Sequence, residues 1–125
     1  MTDYHEPLGE LKSIDRNIAR ALTSLKEEIE AVNWYHQRAA TCSDESLQQV
    51  LAHNRDEEIE HACMVLEWLR RNMAGWDDEL KTYLFSDSPI TEIEEKSLPL
   101  GVEEEVRAIS PQGGIGIGSL KNKMP

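Results

Sequence analysis

Apolar residues return along the first part of the chain at the spacing of one helix face. Ile18, Leu22, Leu25, Ile29 and Val32 follow in steps of four, three, four and three, which keeps them on one stripe. A flanking column runs Ile14, Ala21, Glu28, Tyr35 at intervals of seven. At about 100° per residue, Glu28 falls about 80° from the stripe centre, on its edge. Glu27, Glu30 and Trp34 fall on the opposite face. A second line runs through Leu47, Leu51, Val65 and Leu69, and Glu58 lies within about 20° of its centre, with Asn54 and His61 close beside it. A polar trio therefore sits in the face expected to be driest.

Gly9 and Gly75 bracket a span with neither glycine nor proline, which predicts uninterrupted helix. The break at Thr41-Cys42-Ser43-Asp44 divides it, with Ser43 or Asp44 as N-cap of the second piece. Each helix should run about 30 residues, roughly 45 Å, and so short a link folds them into an antiparallel hairpin. Gly75 suits a helix C-terminus. Trp76, Leu80, Tyr83 and Leu84 then repeat at helical spacing, predicting a short third helix before Ser86. Beyond it the pattern dissolves: four of the five prolines and five of the seven glycines lie past residue 88. Acidic clusters there suit a flexible, self-repelling linker. The final stretch, Gly114-Ile115-Gly116-Ile117-Gly118-Ser119-Leu120-Lys121, spaces three aliphatics on a glycine-rich thread that suits docking in a groove of another protein.

Composition sharpens this all-α reading. With 125 residues the chain makes one small domain, and 39% hydrophobic content supplies a thin core, which invites help from further copies. The 24 acidic and 13 basic residues give a net charge of −11, which argues against a nucleic-acid partner and suits cations. No apolar run is long enough to span a membrane. Met1 to Glu6 show no secretory pattern, so Cys42 and Cys63 are expected as reduced thiols in the cytoplasm.

Glu58 and His61 stand at i, i+3, where a carboxylate and an imidazole reach one metal ion together. A buried carboxylate needs a cation or a proton, and iron, manganese and zinc all take this oxygen–nitrogen donor set. Di-iron helical bundles use a Glu from each of two helices and a Glu-x-x-His from each of the other two. Glu28 with Glu58 and His61 is half of that set. A second copy across a two-fold axis supplies the rest, and four carboxylates then balance two ferrous ions.

The stretches Glu27–Arg38 (EEIEAVNWYHQR) and Leu51–Arg71, with Ala52-His53-Asn54-Arg55-Asp56-Glu57-Glu58 and Leu66-Glu67-Trp68-Leu69-Arg70-Arg71, closely resemble the encapsulated ferritins. Thr82-Tyr83-Leu84-Phe85 and Pro89-Ile90-Thr91 match as well, so the likeness covers about residues 5 to 93. Ile117-Gly118-Ser119-Leu120-Lys121 resembles the peptide that loads such proteins into encapsulin shells. The resemblance implies residues 1–86 as a ferritin-like helical hairpin domain, 87–112 as a flexible acidic linker and 113–125 as an encapsulin-targeting peptide. It implies a dimer that builds a ferritin-like four-helix bundle, five such dimers in an open decameric ring, and a disordered C-terminal tail. It further implies ferroxidase activity at an inter-subunit di-iron centre, with iron delivered to a mineral store in the shell, inside the cytoplasm. Its ligands match Glu28, Glu58 and His61, with Tyr35 nearby. A secondary site for calcium or another divalent cation matches Glu27, Glu30 and Trp34. The long acidic tail departs from the family pattern.

Plainer readings stand beside these. Tyr35 suits packing, and Glu27, Glu30 and Trp34 suit a solvated face. Asn54 suits an interfacial hydrogen bond that fixes register, and Cys63 a buried or interface thiol. The alternative to a ferroxidase is a non-catalytic helical interaction protein whose metal only staples a dimer. A rubrerythrin-like peroxide reductase lacks the paired Cys-x-x-Cys motifs it needs.

Overall fold

The computed structural model describes residues 4–97. The tail peptide and the rest of the acidic linker lie outside the described residues. Among the described residues all regular structure is helical: a short 3-10 turn at Leu8–Glu10, then α1 (Ser13–Thr41), α2 (Glu45–Asn72), α3 (Trp76–Tyr83) and α4 (Ile90–Ser97). The chain divides into two compact units, one up to Ala74 and one from Gly75. No helix among the described residues is long and apolar enough to cross a membrane.

The first unit is the hairpin, and its helices have 29 and 28 residues. Only three residues separate them, and Asp44 sets the turn: in extended backbone, its Oδ2 accepts the Leu47 amide at 2.8 Å. That bond satisfies one of the amides a helix start leaves without a partner. At the far end of α2, Glu67 takes a two-pronged grip from Arg70 at 2.7 and 2.8 Å and a third bond from Arg71 at 2.7 Å. Arg70 first, and Arg71 second, hold its carboxyl down to about 2. The group is largely solvated, so this fastening contributes little to stability.

The core is as thin as the composition implied: among the described residues only Ala39 and Leu69 are buried hydrophobics. Ile18, Leu25 and Val32 of the α1 stripe are half-buried, whereas Leu22 and Ile29 are exposed. On the α2 line Leu69 is fully buried and Leu47 half exposed. Two helices cover only a sector of each other, so the outer edge of each apolar stripe stays in water.

The second unit contains α3 and α4, which contact each other. Gly75 enters α3 at φ +105°, a left-handed angle that glycine takes without strain, and it lies past Met73, the C-cap of α2. Asp77, Asp78 and Glu79 occupy the first turn of α3, where the helix dipole favours negative charge. Helix α4 falls where the periodic pattern was expected to have ended. Its start is set by Pro89, whose carbonyl accepts the amides of Glu92 at 3.0 Å and Ile93 at 3.3 Å.

Candidate metal centre

Helix α1 presents Glu28 and helix α2 presents Glu58 and His61, and the hairpin brings the three side chains together. One ligand atom from each lies within 4.8 Å of the others. The Nδ1 of His61 is 3.2 Å from Oε1 of Glu58 and 3.6 Å from Oε1 of Glu28. All three are half-buried; the side chains of Glu58 and His61 keep 23% and 42% of their exposure. No other group of three acidic, histidine or cysteine ligands comes this close among the described residues.

The three groups shift one another's titration. The carboxyl of Glu28 is pushed above its ordinary 4.5, first by its hydrogen bond to Glu58, then by burial and the Glu58 charge. Glu58 moves the opposite way, held down by the bond it receives from Glu28 and the bond from His61. Of the two carboxyls, Glu28 is therefore the one that keeps a proton to higher pH. The ring of His61 is raised above its ordinary 6.5, first by its bond to Glu58, with Glu28 and Glu57 adding to the field. Two oxygen donors and one imidazole suit a borderline or hard divalent ion such as ferrous iron, but three side chains leave it under-coordinated. The donor set fits the metal and is half of what a di-iron site requires.

A divalent ion must displace these protons to bind. Because His61 holds its proton above 6.5, affinity should rise with pH through that value and beyond it, about tenfold per unit for each proton displaced. Anaerobic calorimetry with ferrous iron, in buffers of different ionisation enthalpy, should register that proton release. A pH-independent affinity would contradict the raised His61.

The remaining predicted residues lie on α1. Tyr35 is half-buried, and the guanidinium carbon of Arg38 stands 5.3 Å from its ring centroid. That cation over a π face was missed from the sequence, although the i, i+3 spacing signals it. Glu27, Glu30 and Trp34 are exposed on the outer side. Cys63 is exposed rather than buried: five residues on from Glu58, it is turned about 140° away. Asn54 is half-buried, while His36 and His53 lie at the surface.

Long paired helices that converge two carboxylates and an imidazole on one point are the ferritin-like arrangement. The sequence model of the EncFtn-like family matches residues 3–87, and the chain belongs to that family. It is 67% identical over 94 residues to a ferritin-like protein of Thermotoga maritima, covering 75% of this chain and 82% of the relative. It is 49% identical over 123 residues to an encapsulated ferritin-like protein of Rhodospirillum rubrum, covering 95% of this chain and 88% of that one. A crystal structure of a protein from Nitrosomonas europaea superposes with a TM-score of 0.69 at 53% identity, over 71% of this chain and 98% of that chain. Family and candidate site together support an iron-related, ferritin-like function.

Proposed function

We propose that this protein is a ferroxidase, oxidising ferrous iron at a centre shared between two copies of the chain. The observation that carries the reading is the convergence of Glu28, Glu58 and His61. A second hairpin across a two-fold axis doubles that set to four carboxylates and two imidazoles. Iron enters as substrate. Glu28, the carboxyl of the pair that is raised, gives up any proton it holds as a ferrous ion binds, and both carboxylates then face the cation charged. His61 turns its nitrogen lone pair to the ion once the ring proton has left. Two ferrous ions give one electron each to dioxygen or peroxide. The ferric product carries a larger positive charge than the four carboxylates balance, which favours its release.

Membership of this family supports an assembly of five dimers in an open ring, with mineral stored in an enclosing encapsulin shell in the cytoplasm. The name of the Rhodospirillum rubrum relative supports such enclosure. Ile117-Gly118-Ser119-Leu120-Lys121 is the proposed shell address, and Tyr35 the proposed companion of the centre. Glu27, Glu30 and Trp34 are the proposed outer cation site.

Oxygen uptake with ferrous iron, read beside gel filtration with and without the metal, tests the central claim. A protein that dimerises on metal but consumes no oxygen is the metal-stapled interaction protein instead. Deleting residues 112–125 should abolish co-purification with the shell and leave iron oxidation unchanged. Retained loading would place the address elsewhere.

A further inference from the structure

Arg55 ties the two helices of the hairpin together. Its Nη1 stands 3.2 Å from Nδ1 of His36 on α1, and its Nε donates to Oδ1 of Asp56 at 3.1 Å. A guanidinium has only donors, so Nδ1 of His36 accepts and the ring proton sits on Nε2. The Arg55 side chain keeps 27% of its exposure, and its planar fork holds both partners at a small entropic cost. His36 is exposed, so the bridge by itself contributes little to stability. Its importance comes from where it stands in the hairpin.

Short lengths of helix connect the bridge to the metal centre. His36 follows Glu28 by eight residues on α1, and Arg55 precedes Glu58 by three and His61 by six on α2. At the standard rise these are about 12, 5 and 9 Å of helix. The 3.6 Å approach of His61 to Glu28 holds at one register of α2 against α1. Metal ligands tolerate displacements of only about 0.5 Å, and a slip of a single residue along α2 is about 1.5 Å. Apolar packing does little to fix that register. Ala39 and Leu69 are the buried hydrophobics among the described residues. The centre lies between them, on a stretch of hairpin that buries no other apolar side chain among the described residues.

We propose that Arg55 is a positioning residue for the metal centre, with His36 as its acceptor. The bridge sets the register at which α2 offers Glu58 and His61 to Glu28. The hydrogen bonds of Arg55 go to Asp56 and His36, so it acts on the ligands through the helices. This role rests on the proposed metal reading of Glu28, Glu58 and His61. A site built by two copies carries two such bridges, so one substitution loosens both halves.

The test titrates the full chain with cobalt(II) under argon and reads the visible absorption of the bound ion, which follows binding without iron oxidation. Arg55→Met keeps the apolar stem and removes the fork, and His36→Leu removes the acceptor from an exposed position. Each should weaken cobalt binding about tenfold, the lower end for a partner of metal ligands, with an unchanged helical spectrum. The double variant should bind no more weakly than either single one, since the same bridge is lost in each case. His36→Asn should bind within about twofold of the parent, because its Oδ1 accepts from the same place along the side chain as the imidazole Nδ1. Parent affinity in Arg55→Met or His36→Leu, additive losses in the double variant, or no recovery in His36→Asn overturns the proposal. Glu58→Ala reports where the ion sits. If that variant binds cobalt as the parent does, the metal reading itself fails and the positioning role falls with it.

Discussion

Glu58→Ala and His61→Ala should each lower the aerobic oxidation rate of ferrous iron by at least about a hundredfold, since even partners of metal ligands cost 10–100-fold when removed. The reasoning rests on how few donors one chain supplies. Glu28, Glu58 and His61 are the whole of its cluster, and each loss counts twice in a site built by two copies. Metal-free stability should hardly change. Without metal, Glu28 and Glu58 stand as two half-buried carboxyls in contact, and Glu28 is raised by that contact and by burial. Removing Glu58 relieves the crowding at Glu28 but also removes the 3.2 Å contact to His61, so the metal-free variant should melt close to the parent temperature. Loss of activity without loss of stability marks residues retained for function. Thermal melts without metal, set beside oxygen-electrode rates, check both halves. A variant that oxidises iron at the parent rate would remove Glu58 and His61 from the mechanism.

The sequence displayed the two long helices plainly because nothing between Gly9 and Gly75 interrupts them. Asp44 could be named in advance as a possible cap because its side chain acts within a few residues of its own backbone. Helix α4 escaped notice because eight residues with two isoleucines are too few for a periodic signal. Its Pro89 start and acidic first turn were the available cues. Periodicity also assigned Leu22 and Ile29 to an apolar stripe without showing that α2 leaves them exposed; a pattern names a face, not what covers it. The same limit applied at the candidate centre. The i, i+3 pair was legible within one helix, but the 3.6 Å from His61 to Glu28 depends on the register of two helices. No single helical wheel contains that register. The exposed, left-handed Phe85 had no local cue, since the stretch before it reads as ordinary amphipathic helix.

Leu69→Ala should be the most damaging core substitution in the hairpin, costing about 2–5 kcal/mol through lost burial and the cavity left behind. Leu69 is fully buried, and Ala39 is the other buried hydrophobic among the described residues, so few neighbours remain to share the loss. Against the 5–15 kcal/mol typical of folded domains, this lowers the melting temperature by on the order of 10–20 °C. Leu47→Ala on the same α2 line provides the contrast, because Leu47 is half exposed in one chain. In a monomer its truncation costs well under 1 kcal/mol. If copies pack over the hairpin, Leu47 joins a covered surface, and its penalty grows with protein concentration as association is linked to folding. Leu69 should show nearly the same penalty at every concentration, since its burial needs no partner. Melts of both variants across a wide dilution series therefore separate the core each chain makes alone from the core that copies make together. Equal, concentration-independent penalties for the two leucines would show that no second hairpin covers this face.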